Sequence, residues 1–111
     1  MIMRSLKLAA DVSQRIAMGM MATNHIDNLV LTANVAKVYT IPTGASHVCL
    51  SGTALYYARF GGAAAVPGND VLDGSGSSIL PELREIPDDV TTIGFISPVA
   101  CIVSIEVFGE V

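Results

Sequence analysis

Tryptophan is absent from this chain, histidine and cysteine occur only twice each, and just 14% of the residues are charged. Each scarcity removes a class of function. His25, His47, Cys49 and Cys101 show none of the close spacings that hold zinc, so no metal site is expected. Each cysteine lies in an apolar run, which fits two buried thiols in a reducing compartment better than a disulfide framework. No apolar stretch is long enough to cross a bilayer. No Asn-x-Ser/Thr sequon occurs, and Asp11, Gln14 and Arg15 interrupt the run that a secretory signal would need. The expectation is a protein made inside the cell, not secreted and not bound to a membrane.

What is plentiful is apolar surface. Hydrophobic residues make up 51% of the 111 positions. An average soluble domain has roughly 25% charged residues, so a chain this poor in charge is expected to be covered by neighbours, as in a homo-oligomer. The plainer alternative is a compact monomer coated in Ser, Thr and Gly. The length suits one modest core. A net charge of −4 argues against general nucleic-acid binding. The charge is also uneven. Residues 1–24 carry Arg4, Lys7 and Arg15 against Asp11, whereas Lys37, Arg59 and Arg84 face the other nine carboxylates. A basic arm on an acidic body suits gripping an acidic neighbour.

The hydrophobic period divides the chain at about residue 28. Residues 1–27 read as an N-terminal arm, helical over 1–24. At about 100° per residue, Ile2, Leu6, Ala9, Val12, Ser13, Ile16, Ala17 and Met20 share one side. Leu6, Val12, Ile16 and Met20 are the candidate contact residues on that light stripe, which carries no aromatic anchor for a membrane surface.

Residues 28–111 read as a β-domain with period two. Strands are expected at Leu29-Val30-Leu31, at residues 37–41 with Tyr39 and Ile41 on one face, and at residues 47–51 with Val48 and Leu50 together. Pro42-Thr43-Gly44-Ala45 is a turn. Another strand spans residues 55–60. The segment from Gly61 to Asp89 has loop chemistry, with one short edge strand within residues 79–86 between Pro81 and Pro87. Residues 91–96 and 99–108 close the domain, and the latter, apolar on much of both faces, reads as a central strand or as one face of an interface. Short spacings between strands suit a small antiparallel β-sandwich or jelly-roll-like barrel.

Chemistry is scarce. Gly74-Ser75-Gly76-Ser77-Ser78 lacks the strand and helix that frame a nucleophile elbow. His25 and His47 have no nucleophile beside them and read as solvated or capping residues. Asp70, Asp73, Asp88 and Asp89 lack the spacing of an EF-hand and read as a solvated acidic loop. Gly61-Gly62 opens no helix that would cradle phosphate. Tyr56, Tyr57 and Phe60 with Arg59 resemble a stacking platform for single strands, but the acidic body opposes that use. No catalytic residue, cofactor or metal ligand is assigned. Arg59, in mid-strand on the face of Leu55 and Tyr57, is either a snorkelling surface residue or the anchor of an ion pair with the acidic loop of this or a neighbouring copy.

Leu31-Thr32-Ala33-Asn34, Ile41-Pro42-Thr43-Gly44-Ala45 and the run Tyr57-Ala58-Arg59-Phe60-Gly61-Gly62-Ala63-Ala64-Ala65-Val66-Pro67-Gly68, with Asp70, Asp73-Gly74, Ser78 and Leu80-Pro81, carry a resemblance. Over roughly residues 29–108 the chain resembles small proteins encoded among the virion structural genes of tailed phages. Within that group it looks most like a capsid decoration, or cement, protein. The resemblance implies a non-enzymatic virion component assembled in the host cytoplasm, often a trimer, with the major capsid protein or other virion proteins as partners. Head–tail and tail-fibre attachment roles are the alternative, with the domain acting as a binding module. Arg59, Phe60, Gly61, Gly62, Val66 and Pro67 join the arm residues as candidate interface positions.

Overall fold

Alternating apolar residues, punctuated by Pro, Gly and Asn, form strands throughout the computed structural model, which describes residues 22–110. The order is β1 (Ile26–Leu31), β2 (Lys37–Thr40), β3 (Ala45–Gly52), β4 (Tyr57–Phe60), β5 (Ser78–Ile79), β6 (Leu83–Glu85), β7 (Thr92–Ile96) and β8 (Cys101–Gly109). They form two antiparallel four-stranded sheets, ordered β1-β8-β3-β6 and β2-β7-β4-β5. The chain is mainly β, as its period of two implies.

Alternation explains which side of each sheet is dry. In the first sheet Val48 lies opposite Val107 and Leu50 opposite Ile105. In the second, Ala58 lies opposite Phe95 and Phe60 opposite Ile93. Side chains from both sheets join one buried cluster, with Leu31, Ile41, Tyr56, Ile86 and Val103 among its members. Burying one such aliphatic or aromatic side chain is worth about 1.5–3 kcal/mol. The Tyr56 and Phe95 rings meet inside it, centroids 6.2 Å apart and tilted by 48°. The expected central strand is β8, flanked by β1 and β3. The turn at Pro42 forms with the Ala45 N–H donating to the Pro42 carbonyl at 3.2 Å.

Several boundaries differ from the sequence reading. The helix expected over residues 1–24 falls almost wholly outside the described residues, and residues 22–24 are not helical. Leu6, Val12, Ile16 and Met20 lie outside them too. The β-domain begins before residue 28, because Ile26 and Asp27 already pair with Glu106 and Ile105. Asp27 and Asn28 are poor strand formers on their own; the β8 ladder holds them. The strand expected from Leu55 starts at Tyr57. Leu55 offers its carbonyl to the Ser97 hydroxyl at 2.6 Å, and Tyr56 turns into the core, donating its hydroxyl to the Pro81 carbonyl.

The single edge strand expected within residues 79–86 is two strands on different sheets. β5 pairs with β4, and β6 pairs with β3. Leu80 makes the transfer between sheets with φ +46°, and Pro81 behind it is fully buried.

Candidate functional site

The second sheet turns a side outward that begins as an apolar row. Tyr57 on β4 is flanked by Ile79 on β5 and Ile96 on β7. Ile79 is 62% exposed, while Tyr57 and Ile96 are half-buried. In the next row Gly94 lies between Val38 and Arg59, and Val38 is also largely exposed. Beyond the sheet, the loop after β4 shows Val71 and Leu72 to solvent, Leu72 at 89%. Val71 and Leu72 line a shallow hollow of about 350 Å³ together with Ala65, Pro67, Asp70 and Ser77.

That loop is seated by glycine. After β4 the chain bends at Gly61, with φ +83°, while the Gly61 N–H stays bonded to the Thr92 carbonyl at 2.8 Å. It then folds back over β7. A Cβ on Gly94 would stand 2.4 Å from the Gly62 carbonyl oxygen and 2.8 Å from the Ala64 nitrogen. Gly94 is therefore the residue that lets the loop lie directly on the sheet, which leaves Ala64 buried. The Ala65 N–H donates to the Ser77 hydroxyl at 3.0 Å, joining the two ends of the loop.

Arg59 lies along this seat. Its guanidinium packs so close to Gly62 that a Cβ there would come within 3.0 Å of Nε. Among the described residues it meets no carboxylate at ion-pair distance; the one such pair is His25 with Asp27. Asp73 is held below the usual aspartate range, chiefly by hydrogen bonds from the Ser75 hydroxyl and N–H, with a small contribution from the Arg59 charge. Of the loop residues expected to form an interface, Gly61 and Pro67 are exposed and Gly62 and Val66 half-exposed. Phe60 packs against the core, so it is not a contact residue in the same sense.

The stacking platform dissolves. Tyr56 is 1% exposed and Phe60 faces inward, leaving Tyr57 alone on the outer surface. His47 is not the solvated or capping residue expected. It is 1% exposed and shares a 2.8 Å hydrogen bond between Nδ1 and the Ser46 hydroxyl. Ser46 also donates to the Phe108 carbonyl at 3.2 Å, so that hydroxyl accepts from Nδ1–H. Burial pushes the His47 pKa down, against the raising field of Glu85. Cys49 and Cys101 are both free thiols; Cys101 is buried, while Cys49 is half-buried and pushed up by burial and by Glu106 and Glu82. Among the described residues, no three His, Cys, Asp or Glu side chains gather as a metal site.

Two features lay beyond the sequence reading. Gly94 carried a signal, an isolated glycine between Ile93 and Phe95 that marks close backbone approach. The link from His25 to Asp27 to Tyr39 carried none, because Asp27 and Tyr39 belong to different sheets. The chain matches no family model, no curated protein and no solved structure.

Proposed function

We propose that this chain is a non-enzymatic virion structural protein, a decoration protein that binds and stabilises an assembled phage head. We read its two sheets as a β-sandwich with jelly-roll-like character and its working form as an oligomer, a trimer by preference. The observation that carries the reading is the apolar row Ile79, Tyr57 and Ile96 on an outward face, with Val38 and Leu72 also exposed. Exposed apolar groups of this kind suit a protein partner, and a low charge content suits a chain surrounded by neighbours.

The chemistry of such a protein is linkage. Binding to the closed shell and not to its dissociated parts shifts assembly toward the shell by mass action. Several modest contacts per oligomer become avid together. The seated loop supplies relief beside the apolar row, and Arg59 supplies one cation for an acidic neighbour. The major capsid protein is the first partner to consider, with other virion proteins after it. Solvent-exposed aromatics at Tyr56, Tyr57 and Phe60 would favour the attachment-module alternative; Tyr56 and Phe60 turn inward, which lends it no support.

The test is protein mass spectrometry of particles purified from lysates of the strain that encodes the chain. Peptides of this chain should appear at a copy number comparable to the major capsid protein. Particles that lack it entirely would rule the reading out. Copies in the low tens would point instead to a head–tail or tail position.

A further inference from the structure

Four strands end the two sheets, β1 and β6 in the first, β2 and β5 in the second. Three of them are short, with four residues in β2, three in β6 and two in β5. Short edges resist pairing with another chain. β1 is the exception, with six residues, no proline and no shift of register against β8.

The ladder to β8 fixes which groups of β1 look outward. The Val107 N–H donates to the His25 carbonyl at 2.9 Å, so in that register Asp27, Leu29 and Leu31 also exchange their bonds with β8. The N–H and C=O groups of Ile26, Asn28 and Val30 therefore point away from the sheet. No described residue takes those of Ile26 and Asn28. The Val30 carbonyl accepts from Lys37 Nζ at 2.9 Å and keeps a second lone pair. The side chains of the same three residues stand on the outer face, Ile26 49% and Val30 59% exposed, with Ile102 beside Val30 at 46%.

We propose that β1 pairs antiparallel with β1 of a second copy, about a two-fold axis at Asn28. The segment is self-complementary in this register. Ile26 meets Val30 of the second copy and Asn28 meets its own counterpart, so apolar faces apolar and amide faces amide. No carboxylate stands directly opposite another. The outward groups supply about six hydrogen bonds between the copies. Ile102, Val30 and Ile26 of the second copy form one apolar row across the junction, and two four-stranded sheets become one. The contact is closed, so it builds no fibre. Lys37, the kind of residue that guards exposed edges, keeps the pairing weak. The inference stands apart from the virion reading: the contact makes a dimer, or joins two trimers.

The experiment is sedimentation of the full chain from micromolar to millimolar concentration. Its mass should rise to an even multiple of the single chain. Asn28→Pro removes an outward N–H and no bond to β8. It should halve the mass while the Tyr56 and Phe95 ring signals keep their core positions. Where the proline disturbs the strand, I26K/V30K serves instead, since it sets like charges opposite each other across the junction. A folded variant of unchanged mass would overturn the proposal, as would an unmodified chain that is monomeric or odd-numbered throughout. Isotope-filtered NMR reads the register. In a mixture of labelled and unlabelled copies, Ile26 methyls should contact Val30 methyls between copies. Within one strand the two residues are about 13 Å apart. Absence of that contact at concentrations where the mass has doubled would also overturn the proposal.

Discussion

The Tyr39 hydroxyl donates to the Asp27 carboxylate, which also takes His25 Nε2 at 3.1 Å, and so fastens the edge of one sheet to the edge of the other. β1 and β2 are joined by no ladder; this polar link bridges them at the rim. The Tyr39 bond is the main cause that lowers the Asp27 pKa, and burial with the Asp27 charge raises that of Tyr39.

Tyr39→Phe should therefore cost about 1 kcal/mol, less than a dry bond to a charged group because the rim is wet. The sign of the pH dependence follows. Asp27 holds its proton less tightly folded than unfolded, so its contribution is complete above the ordinary value of 3.8 and disappears as pH falls through the lower folded value. Urea titrations from pH 5 to pH 2 should show the two proteins converging in stability at the acid end. A constant difference would assign the loss to packing instead.

His47 makes a second pH limb. Its folded pKa is depressed, so below about 6.5 the unfolded chain takes a proton that the folded chain refuses. Stability should be full above that value and fall as pH drops toward the folded one. His47→Gln should flatten this limb in chemical denaturation between pH 7 and pH 5, whatever its effect on absolute stability.

Gly94→Ala places a methyl against the Gly62 carbonyl and the Ala64 nitrogen, both backbone. Overpacking of this kind costs about 1–3 kcal/mol. The strand is held by β2 and β4, so the loop should lift first. Limited proteolysis should cut residues 62–70 faster in the variant, with unfolding of the sheets little changed in cooperativity. Equal cutting rates would mean that the loop tolerates the methyl by a rigid shift.

Tyr56→Phe removes the bond to the Pro81 carbonyl while keeping the ring in the core. A loss of about 1 kcal/mol is expected, measured by thermal or urea unfolding. The same burial pushes the Tyr56 phenol up to about 12. Ultraviolet titration should show Tyr56 and Tyr39 ionising above the ordinary tyrosine value of 10, or only as the protein unfolds in alkali.

Alternation made the interior legible. Val48 and Leu50, Tyr39 and Ile41, and the series Cys101, Val103, Ile105 and Val107 could each be grouped on one face because successive side chains of a strand alternate, but which face of β8 is inward was not legible, since Ile102 and Phe108 make its other face apolar too. Pairing was less legible. Nothing local says that β5 and β6, separated by Leu80, Pro81 and Glu82, belong to different sheets. His47 misled because a histidine beside a turn is judged by its neighbours in sequence, whereas its burial depends on what covers the outer face. The Phe60 to Pro67 loop was recognisable as special, but its seat on Gly94 joins residues some thirty positions apart.

The order of the strands sets when this protein can fold. β7 and β8 sit at the centre of their sheets and come last in chain order among the described strands. β1 and β2 each have a single neighbour, β8 and β7 respectively, so neither can pair before β7, which begins at Thr92, has been made. Folding must wait for nearly the whole described chain, and closing such distant pairs is slow. During that wait Val30 and Leu31 of β1 stand unpaired in a nascent chain that is open to aggregation. Losing the segment after Ser97 would remove the central strand of one sheet and leave β1 without any partner in the ladder.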